Sequence, residues 1–179
     1  MYKFLSDEEH NEFSWEMLGD LESGRENLGA SMPVLVYRLF QYTMRDVINK
    51  KFGVQAGIDV FREAGELAGT QFAANVLTLS LPLNEFIAEL QDALKQNMVG
   101  VLRIEHFDPE TGNMTMTVGE DLDCSGLPIT GETVCHYDEG FIAGILKTYT
   151  KQNYVVREVD CWSTGARVCR FKAYVGEIE

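Results

Sequence analysis

The chain has 179 residues, of which 45% are hydrophobic and 24% charged, and its net charge is −13. That length suits one compact domain, and a surface so acidic repels phosphate backbones, which argues against direct nucleic-acid binding. No apolar run approaches the roughly 18 residues of a membrane-spanning helix, so membrane insertion is not expected. The opening Met1–Glu9 turns acidic too early for a secretory leader, which makes the cytoplasm the expected location.

Acid is concentrated at the start, where Asp7, Glu8, Glu9, Glu12, Glu16, Asp20, Glu22 and Glu26 face Arg25 alone. Such a run is a solvated helix face or a docking surface for a basic partner. Asp7 is the expected N-cap of a helix to about Asp20, with Phe13, Met17 and Leu21 on one stripe. Residues 22–31 form a polar connector. Ser31 and Pro33 open a long helix to about Lys51, closed by Gly53, whose stripe Leu35, Val36, Leu39, Phe40, Met44 and Val47 is expected to face the core.

A further helix spans about 54–77 and carries Gly65 and Gly69 four residues apart. Glycine weakens a helix interior, so the pair points to close approach of another backbone. Another helix covers 84–97, with Asn84 as cap and Phe86, Ile87, Leu90 and Leu94 as its apolar side. After Gly100 the period changes to two: strands are expected at 101–106 and 114–118, joined by a turn-rich link at 108–112. A loop over 120–131, a helix over 138–150 bearing Gly140 and Gly144, and strands at 154–159 and 168–175 complete the chain. The expected fold class is α+β: N-terminal helices packed on an antiparallel sheet with one inserted helix.

All four cysteines, Cys124, Cys135, Cys161 and Cys169, fall in the last third. In a reducing compartment such a group binds metal or is simply buried. Cys161 and Cys169 bracket a turn between two strands, and Glu158 stands three residues before Cys161. Cys135 precedes the inserted helix. A tetrahedral zinc site built from these residues stands beside two other readings, separate buried thiols and a four-cysteine site using Cys124 in place of Glu158. His136 is a further candidate ligand. No Cys-x-x-Cys is present, which weakens a redox role.

The stretches Val134-Cys-His-Tyr-Asp-Glu-Gly-Phe-Ile-Ala-Gly-Ile-Leu, Val156-Arg-Glu-Val-Asp-Cys161 and Ser163-Thr-Gly-Ala-Arg-Val-Cys169-Arg-Phe resemble the 4-vinyl-reductase-type domain. That family includes sensor domains of phenol- and xylene-responsive activators, an accessory protein of bacteriochlorophyll synthesis and stand-alone archaeal proteins described as hydrocarbon-binding. Its fold is similar to trafficking-complex (TRAPP) subunits and distantly to nitric-oxide-sensing haem domains. The resemblance is close over 120–175, and the glycine-bearing helix extends it weakly to about residue 54. In the sensor domains a Cys, a Glu and two more Cys bind zinc, and the spacings of 23, 3 and 8 residues here look like that pattern. The resemblance therefore implies zinc on Cys135, Glu158, Cys161 and Cys169, with Cys124 a free thiol nearby. Four protein ligands close the coordination shell, so the zinc is expected to be structural.

The function implied by this resemblance is that of a sensor or carrier for a hydrophobic or aromatic small molecule. Its expected pocket residues are Phe107, Met114, Met116, Phe141, Ile145, Val156 and Trp162. Residues 1–53 are expected to be a helical extension serving homodimerisation, and 54–179 the zinc-containing ligand-binding region of one compact domain. Two other readings stay open: an accessory that presents a tetrapyrrole for vinyl reduction, and a non-catalytic interaction module. No G-x-G-x-x-G fingerprint or nucleophile–base pairing stands out, so no catalytic residues are expected.

Overall fold

The computed structural model describes residues 12–176, and the chain divides into two compact units, Met1–Met32 and Pro33–Glu179. The sequence places a boundary at residue 53, whereas the contacts place the division at residue 32.

In the first unit, the helix expected to run to Asp20 is not formed over residues 12–20; its start at Asp7 lies outside the described residues. Trp15–Leu18 make a single 3-10 turn, ended by Gly19 at φ 69°. Three apolar residues at four-residue spacing do not hold an isolated helix, because nucleation costs more than a few hydrogen bonds return. Asp20 instead caps a four-residue helix α1, Leu21–Gly24, accepting from the amides of Glu22 and Ser23 at 3.1 Å each.

The second unit opens with α2 (Val34–Phe52), which starts after Pro33 and stops at Gly53, φ 91°. Then come α3 (Val54–Val76) and α4 (Leu83–Gln96), where Pro82 rather than Asn84 stands at the N-cap. The strands are β1 (Val101–Phe107), β2 (Met114–Gly119), β3 (Tyr154–Asp160) and β4 (Cys169–Val175), with α5 (His136–Thr150) between β2 and β3. They form one antiparallel sheet in the order β1-β2-β4-β3, as the α+β expectation requires. One face of it carries Leu102, Met114, Met116, Val118, Val156, Phe171 and Ala173 into the core.

Helices α3 and α5 lie back to back. A methyl at Gly65 would strike the Tyr137 carbonyl and one at Gly69 the Phe141 carbonyl; in return, Gly140 faces the Arg62 carbonyl and Gly144 the Glu66 carbonyl. Four glycines, two per helix, thus let the backbones touch. This is the close approach read from Gly65 and Gly69, and its partner is the inserted helix.

The stripe of α2 is a correction. Leu35, Val36, Leu39, Phe40, Met44 and Val47 do not face the core: Leu35 is 71% and Phe40 64% exposed. The inward side of α2 is polar instead. Tyr37 Oη and Gln41 Nε2 donate to the two carboxylate oxygens of Asp123, Tyr42 Oη donates to its carbonyl, and Arg38 Nε donates to the Leu122 carbonyl. The helix docks through hydrogen bonds to the loop after β2, which leaves its apolar side outward.

Candidate functional site

The chain leaves β2 at Glu120, in the left-handed region at φ 51°, and Asp121 tightens the next turn. Asp121 Oδ1 accepts from the amides of Asp123 and Cys124 at 2.9 and 3.1 Å. This Asx turn delivers Cys124 inward. Cys135 is the N-cap of α5, Cys161 comes directly after β3, and Cys169 opens β4. The bulge between Glu158 and Asp160 re-aims the end of β3 just before Cys161. The segment after Cys161 is fixed by Ser163, whose hydroxyl donates to the Glu132 carbonyl and to Cys161 Sγ, and by Thr164, whose Oγ1 accepts from Cys161 N.

All four sulfurs are buried, and all lie within 4.8 Å of one another. Cys135 Sγ is 3.7 Å from Cys169 Sγ and 3.9 Å from Cys161 Sγ. Zinc–sulfur bonds of about 2.3 Å give a tetrahedron edge of about 3.8 Å, so these separations fit a zinc ion. Cys124 Sγ lies only 3.0 Å from Cys169 Sγ, closer than that edge. Glu158 Oε2 accepts from the amides of Val134 and Cys135, while its Oε1 is buried without a hydrogen-bond partner. A buried carboxylate oxygen left over beside a thiol cluster fits a metal ligand. Burial, and then the charge of Cys161, push the Glu158 carboxyl up to about 8. Hydrogen bonds from the other three thiols hold Cys161 toward its thiolate form, and Cys135 is pushed up by its thiol neighbours and by burial. His136 takes no part in the cluster; its Nδ1 lies 3.5 Å from Glu139 Oε2.

Glu139 braces the site from behind. Its Oε2 accepts from Arg62 Nε of α3 and its Oε1 from the amide of Glu158 on β3. Burial acts to raise its carboxyl, but hydrogen bonds from His136, Arg62 and the Glu158 amide outweigh it and hold the value below that of an ordinary glutamate. With the folded value depressed, this contribution is present at neutral pH and is lost as acid titrates Glu139. Arg62→Ala leaves a nearly buried carboxylate uncompensated and is expected to cost about 3 kcal/mol, measured from the urea midpoint at pH 7.

Beside the cysteine cluster, between α4, α5 and the sheet, lies a cavity of about 30 Å³. Its walls include Leu90 and Leu94 of α4, Met114 and Met116 of β2, and Phe141 and Ile145 of α5. Two acidic groups, Asp121 and Asp138, also line it. Burial, then the neighbouring Asp123, push Asp121 up to about 7, and burial raises Asp138 well above the usual carboxylate range. Of the expected pocket residues, Met114, Met116, Phe141 and Ile145 stand in this wall. Phe107 packs on the core and pairs across the sheet with Met114, Val156 lines a separate charged cleft with Arg62 and Arg157, and Trp162 sits on the surface side under Arg167. The two aspartates escaped the sequence reading, because an acid in the first turn of a helix is ordinarily a solvated partner of the helix dipole.

Comparison with known proteins matches this geometry to a family. The family model of the 4-vinyl-reductase-type domain matches residues 114–174, which contain all five candidate ligands. An uncharacterized protein of Methanocaldococcus jannaschii is 24% identical over 148 residues, which is 82% of this chain and 80% of its own. The crystal structure of a vinyl-4-reductase family protein from the same organism superimposes with a TM-score of 0.62 at 19% identity, covering 93% of this chain and 99% of that one. The phenol-responsive sensory domain of the transcription activator PoxR, solved with phenol, gives 0.63 at 14% identity over 91% and 92% of the two chains. A trafficking protein particle complex subunit 3 from Naegleria fowleri, covalently bound to palmitic acid, gives 0.64 at 11% identity over 80% and 95%. At these identities the structural likeness establishes the fold. Residues 114–174 form a 4-vinyl-reductase-type domain, set in the α+β fold that these structures share.

Proposed function

We propose that the chain is a sensor or carrier that binds a small hydrophobic or aromatic molecule in the cavity between α4, α5 and the sheet. The observation that carries this reading is an enclosed, almost wholly apolar wall with a few convergent polar groups, the usual composition of a ligand site. The PoxR sensory domain, of the same fold, was solved with phenol. The two methionines in the wall adapt to varied shapes.

Beside it, a zinc ion held by Cys135, Glu158, Cys161 and Cys169 would clamp the start of α5 to the β3–β4 hairpin. Its closed shell supplies structure rather than reactivity. The exposed stripe of α2 is assigned to a second copy of the chain, since apolar patches of this kind mark association surfaces.

A second reading, an interaction module without a ligand, is favoured by one observation. The cavity of about 30 Å³ is far smaller than the roughly 150 Å³ void that admits benzene, so a ligand must widen it. Native mass spectrometry of freshly purified protein separates the two. A dimer carrying one zinc per chain and a discrete organic mass is expected. A dimer with zinc alone, unchanged after exposure to phenol, alkanes and alkyl amines, would favour the interaction module. A metal-free, folded protein would remove the zinc assignment.

A further inference from the structure

Two carboxylates stand where an apolar cavity should have none. Of its fifteen lining residues thirteen are apolar, and the other two are Asp121 and Asp138. They are adjacent: a carboxylate oxygen of each, with Cys135 Sγ, lies within 4.8 Å of the others. Asp121 is 3% exposed, and its Oδ1 is already occupied by two backbone amides. Asp138 as a residue is half-buried, but its Oδ2 is sealed from solvent and has no hydrogen-bond partner.

Among the described residues no Lys, Arg or His pairs with either group. The nearby guanidinium groups are committed to backbone carbonyls: Arg38 to those of Leu122 and Asp121, Arg45 to that of Val134. A buried carboxylate with neither cation nor donor is a strongly unfavourable arrangement, and it persists in proteins chiefly where it serves a ligand. Asp123, by contrast, is satisfied by Tyr37 and Gln41. The unmet demand therefore faces the cavity.

We infer that the cavity's ligand is a primary amine on a short apolar body, its ammonium received by Asp138 and Asp121 while the body lies against Met114, Met116 and Phe141. The inference rests on the small-molecule reading above and narrows it. Ionised carboxylates only accept hydrogen bonds, and an ammonium supplies three donors and no acceptor. An alcohol brings one donor and no charge, and a carboxylate ligand meets like charge. The closed volume of about 30 Å³ restricts the body to a few carbons and requires α4 to yield.

Titration calorimetry of the purified full chain with hexylamine, 1-hexanol and hexanoate at pH 7 tests this. Hexylamine is expected to bind at least about tenfold more tightly than hexanol, since the alcohol leaves acceptors unpaired, and hexanoate weakest of the three. Asp138→Asn is expected to bring amine and alcohol within about twofold of each other while hexanol binding persists. Equal affinities in the wild type, or a preference surviving in Asp138→Asn, would overturn the amine assignment and leave the pocket standing. If none of the three binds or raises the melting temperature, the small-molecule reading falls and the amine assignment with it. The wild-type series decides the matter even if the variant does not fold.

Discussion

Gly144→Ala is expected to lower the melting temperature by about 10 °C. Alanine is the better helix former by roughly 1 kcal/mol, so on propensity alone the change would stabilise. At this position the added methyl runs into the Glu66 carbonyl and the Thr70 amide of α3. Those are backbone atoms, and relief comes only by parting the two helices along their length. Overpacking of side chains costs about 1–3 kcal/mol; against backbone the net cost should be about 3 kcal/mol, and each kcal/mol moves Tm by about 2–4 °C at this size. Gly57→Ala is the control. It lies in the same helix as Gly65, but its methyl meets the side chain of Asn49, which is free to swing aside. Circular dichroism melts of the two variants should therefore diverge, Gly57→Ala staying within about 2 °C of the parent. If Gly144→Ala melts with the parent protein, the backbone contact between α3 and α5 is wrong.

The second large effect is expected from the metal centre. Cys161→Ser should be purified without zinc and should fail to show a cooperative melt above about 37 °C. Structural zinc contributes about 10–16 kcal/mol in small zinc domains, comparable to the entire stability of an ordinary domain. Thiolate ligands must give up their protons to bind, so zinc affinity falls as pH falls, and the holoprotein should lose metal in mild acid or with a chelator. The fourth ligand is decided by a pair of variants. Glu158→Gln is expected to weaken zinc binding by at least about tenfold, the scale of losing a ligand-shell partner, whereas Cys124→Ser should retain it. Cobalt substitution reads the same question in the charge-transfer absorption, which counts thiolates. The reverse pattern would make the site a four-cysteine one and leave Glu158 as the acceptor of the Val134 and Cys135 amides. Retention of one zinc by Cys161→Ser with an unchanged melt would dispose of the site altogether.

Much of this was visible in the sequence where local rules and tertiary demands agree. The strands announced themselves because one sheet face is buried and the other is not, which writes a period of two into residues 101–118. Gly65 and Gly69 announced a backbone contact because nothing else justifies glycine there, although the partner, Gly140 and Gly144, is set by topology. The metal residues became legible through spacing and family resemblance; the sequence alone does not choose between Glu158 and Cys124, since both reach the same small space. Three features were hidden for physical reasons. The apolar stripe of α2 has the pattern of a core helix, and only its hydrogen bonds to Asp123 reveal that its inward face is the polar one. Trp15–Leu18 show helical periodicity over too short a span to nucleate. Asp138 looks like any first-turn acid until the cavity appears beside it.

The glycine contact also makes the cavity mechanically lopsided. Its α5 wall is backed by α3 at backbone distance and has no slack to give. The sheet wall is tied by its ladder of hydrogen bonds. The α4 wall is held more loosely, lying over β1 and meeting α5 through the stacked rings of Phe86 and Tyr149, 3.9 Å between centroids. A guest that needs room must therefore push α4 outward, and the outer surface of α4, with Glu85, Glu89 and Asp92, is where its arrival would first be felt.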